Sequence, residues 1–173
     1  MTITIRQETA KDYPFIHFLN FIAFGNREDE TRLIERIRKF SCYVPDLALV
    51  AEEDGTIVGH MLMSKANVVA DNQSQEVLVL APIAVLPAKQ KQGIGKLLIN
   101  EGLKISKQLG FKAVFLIGHP TYYPQFGFQP ARPFGIELTQ FDVTDDVFMV
   151  CELEENALST IKGELQYSKA FFE

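Results

Sequence analysis

No stretch of this chain is long and apolar enough to cross a bilayer: the longest run, Val77–Val85, is short and is broken by Pro82. Cysteine is scarce. Cys42 and Cys151 stand far apart, form no CxxC pair and have no histidine pair nearby. That spacing argues against a disulfide framework and against structural zinc, and no metal is expected. Positive charge is also in short supply, with 17 Lys and Arg against 22 Asp and Glu and a net charge of −5. Nucleic acid is therefore not the expected partner. The opening residues, Met1-Thr2-Ile3-Thr4-Ile5-Arg6, lack the basic-then-apolar layout of a secretion signal. A cytoplasmic protein without membrane contact is the expectation.

What is present fits an ordinary globular chain. Its 173 residues are 47% hydrophobic and 23% charged, which suits a single domain with a sizeable core. The core is expected over about residues 1–154, with a C-terminal extension at 155–173. Basic residues gather locally at Lys89, Lys91, Lys96, Lys104 and Lys107. A local positive site on an acidic protein suits one small anionic ligand.

Hydrophobic periodicity gives the elements. Ile3 and Ile5 alternate with polar neighbours as in a short strand. Thr9, with Asp12 three residues on, predicts a capped helix over Ala10–Ala23. Its apolar residues Phe15, Ile16, Phe18, Leu19, Phe21 and Ile22 cover more than one face, so it either packs on two sides or walls a substrate site. A second helix carries Leu33, Ile34 and Ile37. Strands follow at Asp46–Glu53 and Thr56–Val69, joined by the hairpin signal Asp54-Gly55. After a turn at Asp71–Gln75 comes a strand over Glu76–Leu86, in which Pro82 implies a bulge or an unpaired segment. A helix from about Gly93 to Leu109, a buried strand at Ala113–Gly118 and a short helix at Pro120–Phe126 complete the middle of the chain. Ile136–Leu138 and Val147–Leu153 are expected to pair with each other. Asn156–Ile161 reads as a helical turn and Glu164–Tyr167 as a last edge strand. The fold class is α+β, a mixed and mostly antiparallel sheet with helices on both faces. Residues 77–118 form its one parallel strand-loop-helix-strand unit.

The most informative segment runs from Leu80 to Ile99, where a strand enters a polar, glycine-containing turn that opens directly into a helix. A helix start presents unpaired N–H groups and partial positive charge, so it binds anions. Gly93 and Gly95 remove side chains that would hold phosphate oxygens away from the backbone. Two nucleotide motifs fail here. A Walker A loop needs Ser or Thr where Leu97 stands, and a dinucleotide fingerprint needs glycine where Leu98 stands. The pattern that fits is Gln-x-x-Gly-x-Gly, realised as Gln90, Gly93 and Gly95.

This pattern resembles the acyl-CoA pyrophosphate loop of the GNAT superfamily of N-acetyltransferases, flanked by Val85-Leu86-Pro87 and by Gly95-Lys96-Leu97-Leu98-Ile99. A second segment, Tyr122-Tyr123-Pro124-Gln125-Phe126-Gly127-Phe128, resembles the Tyr-x-x-x-Gly-Phe stretch after that family's fifth strand. Within the superfamily the likeness is to the YhbS-like group, and it covers nearly the whole chain. One departure is Gln90, where many GNAT proteins carry Arg; phosphate binding would then lean on backbone amides and nearby lysines.

The resemblance implies a GNAT-like fold and transfer of an acetyl group from acetyl-CoA to a primary amine by direct attack in a ternary complex. It implies CoA binding by Ile83, Ala84 and Val85 on the strand, beside which the pantetheine arm lies like an added strand. The loop residues Gln90, Lys91, Gln92, Gly93, Ile94, Gly95 and Lys96 would take the diphosphate. Backbone amides near Ala84 and Val85 would face the thioester oxygen, and Tyr123 would protonate the departing thiolate. His119, His60 and Glu30 are candidates for the base that neutralises the amine, each with a plainer structural reading as turn cap, core histidine or solvated helix-start carboxylate. The acceptor is a small-molecule or peptide amine, and a homodimer is left open. A non-catalytic acyl-CoA sensor, or an interaction domain on the same fold, is the alternative reading.

Overall fold

The computed structural model describes residues 2–172, so the outermost residue at each end of the expected 1–173 domain lies outside it. Nine strands join in one sheet: β1 (Ile3–Gln7), β2 (Ala48–Glu53), β3 (Thr56–Ala70), β4 (Gln73–Val85), β5 (Ala113–Ile117), β6 (Gln129–Pro130), β7 (Ile136–Glu137), β8 (Phe148–Glu152) and β9 (Gly163–Gln166). The helices are α1 (Tyr13–Ala23), α2 (Asp29–Lys39) and α3 (Ile94–Gln108). The main strand order is β1-β2-β3-β4-β5-β8-β6, and every pairing along it except β4 with β5 is antiparallel. The expected mixed sheet is thus the one observed.

Side-chain alternation divides the core between the two faces. Met61 and Met63 of β3 pack with Ile94, Leu98 and Ile99 of α3, while Leu62 packs with Ile16 of α1 and Ile34 and Ile37 of α2. α3 can lie close to β3 because Gly59 and Gly102 stand at the contact. A methyl group on Gly59 would come 3.0 Å from Ile94 Cγ2, and one on Gly102 would come 2.4 Å from Met61 Cε.

The local signals explain the ends of the elements. Thr9 and Asp12 form the reciprocal cap, although the first turn is 3-10 before α1 proper begins at Tyr13. Asp54 and Gly55 both take positive φ, as a two-residue hairpin with right-handed strand twist requires. In β4, Ala81 and Pro82 together face the single residue Leu62, since Met61 pairs with Ile83 and Met63 with Leu80. This is the expected bulge at Pro82.

Three expectations are corrected. Strands β7 and β8 do not pair with each other: both edges of β8 are taken, by β5 and β6, and β7 runs parallel to β9. The two-residue β6 carried too little periodicity to be seen in the sequence. Strand β9 is not an edge, since it bonds β3 at Asn67–Val69 beyond the end of β2 and carries β7 on its other side. And α1 does not pack on two sides: Ile16, Leu19 and Asn20 are buried, but Phe15 and Phe18 are 63% and 59% exposed.

Candidate active site

β4 and β5 pair only at Leu78–Val114 and Val79–Phe115. Past the Ala81–Pro82 bulge the two strands part, although β4 continues to Val85 and β5 to Ile117. The β4 edge facing β5 is therefore without a partner strand from Leu80 on, and a cleft of about 460 Å³ opens there. Ile83, Ala84 and Val85 form one wall, Lys89, Gln90, Lys91, Gly93, Ile94, Gly95 and Lys96 the second, and Tyr122 and Tyr123 the third.

The loop wall is built by backbone geometry. Lys91 has φ +65° and Gly93, the residue before α3, has φ +86°. These left-handed turns fold the chain so that successive N–H groups face one side. The first helical bond runs from Leu97 N to Gly93 O at 3.1 Å, and among the described residues the amides of Gly93, Ile94, Gly95 and Lys96 have no backbone acceptor. Free amides at the positive end of a 15-residue helix make a phosphate-sized anion site. The glycines keep it open, since a side chain on Gly95 would run toward the Tyr122 hydroxyl 3.1 Å away.

Side chains supply fewer donors than the sequence suggests. Lys89 Nζ is held by the buried Glu53 carboxylate at 2.7 Å. Gln90 Nε2 donates to Val85 O and Gln92 Nε2 to Ala88 O, at 3.2 and 3.4 Å. Lys91 and Lys96 are exposed at the rim.

The tyrosine wall comes from the turn after β5. Tyr122 N and Tyr123 N both donate to His119 O, at 3.2 and 3.5 Å. The Tyr123 ring lies against Gly118, where a methyl group would come 2.4 Å from Cε2. Phe128 meets it edge-to-face at 5.8 Å. Burial in this apolar corner, together with the neighbouring Tyr122, pushes its hydroxyl up to about 12.

The cleft thus brings together Ile83, Ala84, Val85, Gln90, Lys91, Gly93, Ile94, Gly95, Lys96 and Tyr123 from the sequence-derived set, while Gln92, Glu30 and His119 do not line it. His119 is exposed, with Nδ1 3.1 Å from Thr121 Oγ1. Glu30 lies in the first turn of α2, and its Oε2 is shielded without a hydrogen-bond partner among the described residues. His60 is fully buried, with Nε2 2.9 Å from Glu8 Oε1, and burial holds it below the usual histidine range. Two lining residues were missed. Lys89 belonged to the basic cluster already noted, and Tyr122 stands next to the tyrosine that was singled out.

Comparison with known proteins gives the same picture. The model of the acetyltransferase (GNAT) family matches residues 5–128. The uncharacterised N-acetyltransferase YhbS of Escherichia coli K12 is 29% identical over 168 residues, covering 96% of this chain and 97% of its own. YjhQ from the same bacterium, also an uncharacterised N-acetyltransferase, is 37% identical over 108 residues; that match spans 62% of this chain and 59% of YjhQ. The crystal structure of E. coli YhbS in complex with CoA superposes with a TM-score of 0.87 at 28% identity, covering 99% of this chain and 92% of that one. A Brucella melitensis GNAT acetyltransferase in complex with acetyl-CoA gives 0.79 at 28% identity, with 98% of both chains covered. With a family model over most of its length and the parted strands, amide-lined loop and paired tyrosines in place, the chain belongs to the acetyltransferase (GNAT) family.

Proposed function

We propose that this protein moves the acetyl group of acetyl-CoA to a primary amine by direct attack, with both substrates bound at once in the cleft between β4 and β5. The observation that carries the reading is the unpartnered β4 edge ending at a ring of free amides at the start of α3. One end offers strand-like hydrogen bonds to an extended amide-bearing arm, and the other offers an anion site for a diphosphate. Bound acetyl-CoA would supply an activated thioester carbonyl.

The chain's own residues divide the remaining work. The Val85 amide, on the β4 edge away from β3, is the donor we assign to the negative charge developing on the thioester oxygen. The Ala84 amide, first expected to share this role, has the parity of Leu86 and faces β3. Tyr123 is the proton donor for the leaving thiolate. With the hydroxyl near 12 and a free thiol near 8.5, that transfer is uphill by roughly 3.5 units, or about 5 kcal/mol, as separated acids. The same apolar walls raise a thiolate's proton affinity and narrow the gap. For the amine, which at a pKa near 10.4 is less than about 0.1% neutral at pH 7, Glu30 is the base we put forward. Its Oε2 is shielded without a hydrogen-bond partner among the described residues. His60 Nδ1 is unpartnered there too, but that ring is fully buried with Nε2 held by Glu8, whereas Glu30 is half-buried in the first turn of α2.

The test is release of free thiol from acetyl-CoA against a panel of amines, peptides and polyamines, run beside calorimetric titration with CoA. Binding with turnover on at least one amine supports transfer. Binding without turnover on any of them would favour a sensor, and no binding by folded protein removes the reading altogether.

A further inference from the structure

The anion site is poor in side-chain donors, because Gln90, Gln92 and Lys89 are all engaged within the protein. Lys91 and Lys96 stand free at the rim, and deeper in, beside the first-turn amides, one more side-chain donor is free. The Tyr122 hydroxyl lies over Gly95, 3.1 Å from where a Cβ there would sit, and makes no hydrogen bond among the described residues. The ring that carries it is clamped. It meets Tyr123 edge-to-face at 5.0 Å and Phe126 at 5.5 Å, its N–H is bonded to His119 O, and its carbonyl accepts from Gln125 Nε2 at 2.8 Å. A fixed phenol beside the first-turn amides adds a positioned donor to the main chain and the two rim lysines.

We propose that Tyr122 is a cofactor-binding residue whose hydroxyl donates a hydrogen bond to the CoA diphosphate seated on the Gly93–Lys96 amides. The proposal rests on the reading of this cleft as the CoA site. An anion accepting from the Gly95 and Lys96 N–H groups sits beside the space that Gly95 leaves open, and that is the space the hydroxyl overhangs. A hydroxyl bonded to a charged oxygen makes one of the stronger neutral-donor contacts. It also separates the two adjacent tyrosines by role: Tyr122 holds the diphosphate end of the ligand, and Tyr123 serves the sulfur.

Calorimetry on the full chain tests this with two probes, CoA and 3′-phosphoadenosine 5′-diphosphate, which keeps the diphosphate and lacks the pantetheine arm. Tyr122→Phe should weaken both by the same factor, about tenfold, while the thermal midpoint without ligand stays where it is. Weaker CoA binding with the second probe unaffected would put the hydroxyl on the pantetheine arm and overturn the assignment, as would equal affinity for both probes in variant and wild type. A wild-type chain that binds neither probe would bring down the CoA reading itself, and this inference with it.

Discussion

Tyr123 owes its position to a hydrogen atom. Gly118 lets the ring lie so close that a single methyl group would overlap it at 2.4 Å, and neither a ring carbon nor the adjacent strand end can yield cheaply. Gly118→Ala should therefore swing the tyrosine out of line, lowering kcat by roughly ten- to a hundredfold, because small misplacements of a reacting group carry costs of that order. Tyr123→Phe keeps the ring and removes the proton. It should lower kcat with CoA affinity nearly unchanged, measured by steady-state kinetics beside calorimetry. If phenylalanine turns over as fast as tyrosine, the acid is not Tyr123. With the hydroxyl near 12, its own loss of a proton should leave no alkaline limb in the pH–rate profile below about pH 10.

At the scale of elements, the unit from β4 through α3 to β5 governs function. Gly59 and Gly102 bring α3 close to β3, which fixes the direction in which the helix start points. Gly93→Glu tests that start. At φ +86° a side chain adds about 1–2 kcal/mol of backbone strain, partly offset by an acidic group at a helix N-terminus. The fold should survive, with normal circular dichroism, while CoA binding falls below detection because a carboxylate occupies the anion site. This unit was also the most legible part of the sequence. Its glycines, its proline and its leucine-rich helix are local signals, and local signals determine local geometry. Pairings in the last third were not legible in the same way. Which of Gln129–Pro130, Ile136–Glu137 and Gly163–Gln166 meets which partner depends on free strand edges far away in the chain, and two-residue strands carry no period. The exposed Phe15 and Phe18 belong to the same class, since an apolar residue does not announce which side of its helix lacks a neighbour. Gln90 and Lys89 look like donors in the sequence, and only the fold shows them bonded to Val85 and Glu53.

Across the whole molecule, stability depends on two carboxylates in charged networks. Glu8 accepts hydrogen bonds from Arg38 at 2.9 Å and Tyr43 at 2.7 Å, and shares one with His60; Arg38 also stacks 3.7 Å over Tyr13. Burial alone would raise the Glu8 carboxyl, but these partners outweigh it and bring the group down to about 2. Asp12 is brought to about 2 mainly by Arg6, against burial, with help from the Thr9 amide. Both groups titrate lower in the folded state than in the unfolded one. Their contribution is complete above about pH 5 and drains away as pH falls toward 2, by about 1.4 kcal/mol per pH unit for each proton taken up only on unfolding. Denaturant midpoints measured from pH 6 down to pH 3 should fall accordingly. Glu8→Gln should flatten part of that slope and cost about 3–5 kcal/mol at neutral pH, because Arg38, largely buried in the last turn of α2, loses its carboxylate partner.

The parting of β4 from β5 has a thermodynamic corollary. Since β5 bonds β4 only at Leu78 and Val79, no rung of that ladder has to be broken to admit a guest alongside Ile83 and Val85. The gap between the strands is built into the backbone by the bulge and the turn, so an extended guest can lie along β4 without unpairing the sheet, and the penalty for its capture is chiefly that of immobilising it.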